Sequence, residues 1–141
     1  MTLAIGADHA GFALKRVLKD ELAGKGYAVL DMGTDDDTSA DYPDFAEAVV
    51  GEILAGRAQM GVLVCGTGIG MSIAANRHEG IRAALCHDEN SARLARQHND
   101  ANVFVVAGRG TDGEDAKKWL DVFLSTDFEG GRHSRRVTKL K

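Results

Sequence analysis

The 141-residue sequence predicts an α/β fold: a three-layer α/β/α sandwich on a five-stranded parallel sheet. Three observations predict it. Five short apolar runs recur along the chain, each bounded by glycine or polar residues. Between them lie longer stretches with apolar residues at helical spacing, so strand and helix alternate and each crossover joins parallel neighbours. The run "MGVLVCG" (60–66) is apolar throughout, as expected of a strand covered on both faces.

Each element has its own signal. "TLAIG" (2–6) is the first strand, and "GFALKRVLKDELAGKG" (11–26) is a helix with Leu14, Val17, Leu18 and Leu22 on one face and Gly24 and Gly26 as its stop. "YAVLDMG" (27–33) is the second strand. An acidic loop, Asp35 to Asp37, leads to "DYPDF", where Pro43 suits a helix start and Ala46, Val49, Val50 and Ile53 form the buried face. After the strand at 60–66, "MSIAANR" reads as a helix, "IRAALCH" (81–87) as a strand, and "DENSARLARQH" (88–98) as a helix opened by Asp88 or Asn90. "NVFVVAG" (102–108) is the fifth strand. "GEDAKKWLDVFLS" (113–125) is a helix burying Ala116, Trp119, Leu120 and Phe123, and 129–141 is a basic tail with room for a short helix after Gly130 and Gly131. Five such rounds make the sheet Rossmann-like, and with no repeat or linker the expected unit is a single domain over 1–141.

Composition narrows the function classes. At 44% hydrophobic and 27% charged, the chain can bury one ordinary core. A formal net charge of -4 supplies no general attraction to nucleic acid or anionic lipid. No apolar run approaches a membrane span and nothing at the start reads as a signal peptide, so the expected address is cytoplasmic, with no membrane partner. Cys65 and Cys86 sit at strand ends without metal-ligand spacing, so no metal site is expected.

In open parallel sheets ligands bind beyond the carboxyl ends of the strands. Those positions hold "ADHAG", "CGTGIG", "CHDE" and "GRGT". A strand followed by a glycine loop and a helix suits an anion, because backbone N–H groups converge there. Specific anion motifs fail. Gly66, Gly68 and Gly70 start like a dinucleotide loop, but Met71 stands at its last glycine. No Gly-Lys-Ser/Thr follows as a Walker loop needs, and Met71 also replaces the arginine of a cysteine phosphatase loop. Cys65 stands where a phospho-accepting receiver domain would need aspartate. Alone, Cys65 could be a small buried hydrophobe. At the amino end of a helix, ringed by N–H groups, its thiolate would instead be stabilised as a base or nucleophile, with the same amides able to hold an oxyanion.

Other polar residues carry two readings. Asp8 could cap the first helix or serve the site, and His9 beside it favours the site. His98 and Asn99 end the fourth helix, where histidine is commonly a dipole partner. Arg109 follows the fifth strand at the expected rim. Arg132 and Arg136, four apart, would share a helical face and could close on one phosphate, although a basic terminus is usually a solvated tail. His78 and His87 have no such company and read as structural.

The segments "GADHAGFALK", "DYPDFA", "VLVCGTGIGMSIAANR", "GIRAALCHD", "SARLARQHNDANV" and "EGGRHSRRV", in that order, resemble the ribose-5-phosphate isomerase B family, which includes allose- and galactose-6-phosphate isomerases. The resemblance implies interconversion of ribose 5-phosphate and ribulose 5-phosphate through an enediolate, without metal or cofactor. It implies Cys65 as the base, Thr67 assisting it, and amides from Gly66 to Gly70 holding the enediolate. His98 would open the sugar ring, Asp8 and Asn99 would bind hydroxyls or the ring oxygen, and His9, Arg109, Arg132 and Arg136 would bind phosphate. It also implies a homodimer or dimer of dimers whose subunits complete each other's sites. One branch carries a glutamate base at the position of Met71; Cys65 places this chain in the thiol branch. The resemblance assigns Tyr42 and Arg135 no role. A six-carbon substrate is the alternative, and a non-catalytic binder of sugar phosphates or nucleotides is the more distant one.

Overall fold

A computed structural model describes residues 1–141. Five strands, β1 (Thr2–Ala7), β2 (Ala28–Asp31), β3 (Met60–Cys65), β4 (Ala83–Leu85) and β5 (Val103–Ala107), form one sheet in the order β2-β1-β3-β5-β4. Every pairing is parallel. Six helices follow the strands: α1 (Phe12–Gly24), α2 (Tyr42–Leu54), α3 (Ile69–Ala75), α4 (Glu89–Asn99), α5 (Gly113–Ser125) and α6 (Arg132–Thr138). The three-layer expectation holds.

The two-residue period of the strands sorts their side chains between two cores. Leu3, Ile5, Val62, Val64, Phe104 and Val106 face α1, α4 and α5, where they meet Leu18, Ala95 and Phe123. Ala4, Leu63, Cys65, Val103 and Val105 face the other way, against Val49 and Val50 of α2 and Met71 of α3. No helix is long and apolar enough to cross a membrane.

Most elements shift or shorten slightly at their ends, the second strand to Ala28–Asp31 from 27–33, and two of the differences have a clear local reason. The third helix begins at Ile69 rather than Met71, because Gly68 takes the left-handed conformation (φ 77°) and turns the chain directly into it. The fourth strand spans Ala83–Leu85 rather than 81–87. It is a sheet edge, and the Asn76 amide donates to the Ala83 carbonyl (2.9 Å) and accepts from the Ala83 N–H (2.8 Å), standing in for a missing neighbour.

Strand order reverses at β1: the chain steps from β1 out to β2, then returns to place β3 on β1's other side. The crevice between the carboxyl ends of β1 and β3 is the topological switch point, where open α/β sheets bind ligands. There the start of α1 presses on β3. A Cβ on Gly11 would lie 2.5 Å from the Val64 carbonyl oxygen, so only glycine allows this approach.

An ion pair of a buried lysine with a more exposed aspartate anchors the loop beside the crevice. Lys15, 1% exposed, donates from Nζ to Asp31 Oδ1 (2.8 Å) and to the Thr34 carbonyl, while Lys19 reaches Asp31 Oδ2 (3.0 Å). Burial opposes ionisation of Asp31, but hydrogen bonds from Lys15, the Gly33 N–H and Lys19 outweigh it and hold its carboxyl below the ordinary range. Lys15→Met leaves Asp31 with Lys19 and the Gly33 N–H and should lower stability by about 2 kcal/mol, between a surface and a fully buried pair, measured by chemical denaturation at fixed protein concentration.

Candidate active site

The loop after β3 is built around Cys65. The side chain is 4% exposed, yet its sulfur turns toward the loop, where the Gly68 N–H donates to Sγ at 3.2 Å. The Ile69 N–H donates to Thr67 Oγ1 at 3.2 Å. The amides of Gly66, Thr67 and Gly70 find no acceptor within the chain, so they remain available to an anion. Cys86 offers no such chemistry: burial, with Asp88 nearby, pushes its thiol up to about 12.

The neighbouring loops close around these amides. The Gly108 N–H donates to the Cys65 carbonyl (2.8 Å) and the Arg109 N–H to that of Gly66 (3.1 Å). The Arg109 guanidinium lies over Gly66, where a Cβ would stand 3.2 Å from Nη1. Tyr42 covers Gly70, where a Cβ would come within 2.5 Å of its ring. On the other side of the crevice, Asp8 is 6% exposed, and its Oδ1 accepts from the N–H groups of Ala10 and Gly11, both at 3.0 Å. Asp8 thus holds the turn before α1 rather than capping the helix, whose N-cap is Gly11. His9 Nδ1 lies 3.1 Å from the Ala40 nitrogen and 3.3 Å from the Ala40 carbonyl oxygen, and Nε2 has no partner within the chain.

The remaining expected residues stand elsewhere. Helices run back against the parallel strands, so α4 ends at the amino edge of the sheet, and His98 and Asn99 lie there. Cys65 lies at the carboxyl edge, and the five-residue β5 sets the two groups about 15 Å or more apart. Asn99 shares a hollow with Asn76, Ile81 and Arg82, on the segments that enter β4, and with the chain end at Leu140. This hollow contains none of the β3-loop residues. The basic tail does form a helix, α6, which packs on α4 and presents Arg132 and Arg136 four residues apart. Both are exposed and neither has a carboxylate partner; Arg135 is likewise exposed. His78 joins Glu47 at 2.7 Å and lines the same hollow as Asn99, while His87 stays on the surface and enters neither group.

The structure adds one residue to the second group. His133 is 4% exposed and its ring stacks on that of His98, centroids 4.3 Å apart and planes 12° from parallel. A histidine inside a basic tail carries no sign of burial in the sequence; only the packing of α6 on α4 reveals it. His98, Glu129 and His133 each bring a ligand atom within 4.8 Å of the others. They are nevertheless poorly set for a metal: nearly parallel rings point their in-plane lone pairs side by side, and the positive charges of Arg132 and Arg136 act on His133.

Comparison with known proteins gives the family. The family profile described as Ribose/Galactose Isomerase matches residues 3–140. The ribose-5-phosphate isomerase B of Escherichia coli is 44% identical over 135 residues, covering 96% of this chain and 91% of that protein. The crystal structure of a ribose 5-phosphate isomerase from Thermotoga maritima superimposes with a TM-score of 0.97 at 55% identity, over 99% of this chain and 96% of that one. A ribose-5-phosphate isomerase B from Mycoplasma genitalium, solved with bound ribulose-5-phosphate, gives a TM-score of 0.93 at 41% identity over 98% and 92%.

Gly68 is the loop position most sensitive to a side chain. Its φ is 77°, and a Cβ would stand 2.4 Å from Leu85 Cδ1 and 3.3 Å from the Val106 carbonyl carbon. Gly68→Ala should cost about 1 to 3 kcal/mol in strain and move the N–H away from Cys65, lowering both the unfolding midpoint and sugar phosphate affinity by calorimetry.

Proposed function

The chain belongs to the ribose/galactose isomerase family, and we propose that it interconverts ribose 5-phosphate and ribulose 5-phosphate through an enediolate, with Cys65 as the base. The observation that carries this reading is the Gly68 N–H donating to Cys65 Sγ at 3.2 Å beside open loop amides. The relatives' names supply the substrate. Cys65 thiolate takes the C2 hydrogen of the open-chain aldose as a proton, and the C2–H electron pair shifts to make the aldehyde oxygen an enediolate oxygen. The amides of Gly66 to Gly70 meet that charge. The same proton returns at C1, the O2 proton passes to O1, and the ketose results. Thr67 lies next to this exchange and steadies the loop through its bond from Ile69. The chemistry requires no metal, since backbone donors stabilise the anion.

The phosphate meets His9 and Arg109 at one edge, and the ring-opening group His98 stands at the other edge with Asn99, Arg132 and Arg136. A second copy, bringing its amino edge to this carboxyl edge, unites the two groups; hence a homodimer, or a dimer of dimers, with shared sites. Ile69 and Ile73, one helical turn apart on α3 and 54% and 53% exposed, present apolar surface beside the loop for that copy to cover. Asp8, with one carboxylate oxygen held by backbone, keeps the other for a sugar hydroxyl. A phosphorylated substrate, too charged to cross a bilayer, suits the cytoplasmic address.

The protein should convert ribose 5-phosphate to ribulose 5-phosphate at the same rate with and without EDTA. Cys65→Ala should lower kcat by about a hundred- to ten-thousandfold while leaving substrate affinity within a few-fold, measured by coupled assay and calorimetry. Turnover surviving that substitution removes Cys65 as the base.

A further inference from the structure

The buried imidazole of His133 is the feature that the reaction as described leaves unused. Its Nε2 is sealed from solvent and has no hydrogen-bond partner, the only buried side-chain nitrogen or oxygen so placed. Glu129 Oε2 lies 3.7 Å away, beyond hydrogen-bond reach. Unpartnered buried polar atoms are rare in native proteins. The face of this ring carries His98, whose own ring is only half-buried and has no hydrogen bond within the chain to orient it.

Resting on the isomerase reading above, we propose that His133 is the positioning residue of His98, a flat platform that fixes the plane in which His98 exchanges its proton with the sugar. Ring opening moves the proton of the C1 hydroxyl to the ring oxygen as the C1–O4 bond breaks, and the O1–H electron pair becomes the new carbonyl. A group that takes the first proton and supplies the second must face both oxygens, so the angle of its ring matters. The surroundings of His133 favour its neutral form. Burial first, then Arg132, His98 and Arg136, lower its proton affinity, against the opposing pull of Glu129. With the lower ring neutral, a proton on His98 meets no like charge across the stack.

Ring opening can be separated from proton transfer at carbon. Ribulose 5-phosphate cannot close a furanose ring, since its 5-oxygen is esterified, so exchange of its C1 hydrogen with deuterated water needs Cys65 but no ring opening. His133→Ala should lower kcat from ribose 5-phosphate by about ten- to a hundredfold while C1 exchange stays within about threefold of wild type. His133→Phe restores the flat face and should recover most of the forward rate. Equal loss of both activities in His133→Ala, unchanged kinetics in that variant, or a His133→Phe protein as slow as His133→Ala would each overturn the proposal. A wild-type protein inactive on both sugars would overturn the isomerase reading itself, and the platform role with it.

Discussion

The parallel direction of all five strands is the constraint on which the rest depends. It gathers the turns after β1, β3 and β5 on one edge of the sheet, where Asp8, Cys65 and Arg109 meet, and returns the helix ends to the other. Because strand order reverses at β1, the first two of those turns face each other across an open crevice. Close backbone approach then completes the loop: Gly11 lets α1 press on Val64, and Gly68 turns its N–H onto the sulfur. The same direction of travel sends His98, Asn99 and the α6 arginines to the opposite edge, so the proposed mechanism needs residues from two chains at each site.

Arg57, Arg82, Arg93 and Arg96 each have a carboxylate within 4.0 Å, so the field of each is largely neutralised where it stands. Arg109, Arg132 and Arg136 have no such partner, and neither do Arg16, Arg77 and Arg135. In a protein of net charge -4, cations left unpaired at both half-sites are what a dianionic phosphate would seek. The Lys15–Asp31 pair serves a different end, holding the loop from Thr34 onward whose Ala40 N–H meets His9.

Much of this is legible in the sequence because it is local. Apolar runs and helical spacing mark the strands and five main helices, and the glycines after Val64 and Cys65 mark the loop. What depends on distant partners is not. The length of β4 depends on its being an edge, guarded by the amide of Asn76, and strand order depends on contacts between remote segments. The role of Asp8 as a turn anchor rather than a cap emerges only with the bonds from Ala10 and Gly11. His133 is hidden among basic residues, and its burial needs α4 beneath it. The resemblance implied shared sites, but it takes the strand direction to show why Cys65 and His98 of one chain stand at opposite edges.

The central claim is that Cys65 of one chain works with His98 of another, and subunit mixing tests it most directly. Cys65→Ala and His98→Ala proteins, each inactive alone, are unfolded together in equal amounts and refolded. In half of the resulting dimers one of two sites carries both native residues, so roughly a quarter of wild-type activity should return. If mixed dimers form, as a tag on one variant would show, and no activity returns, Cys65 and His98 serve within a single chain and the account is wrong.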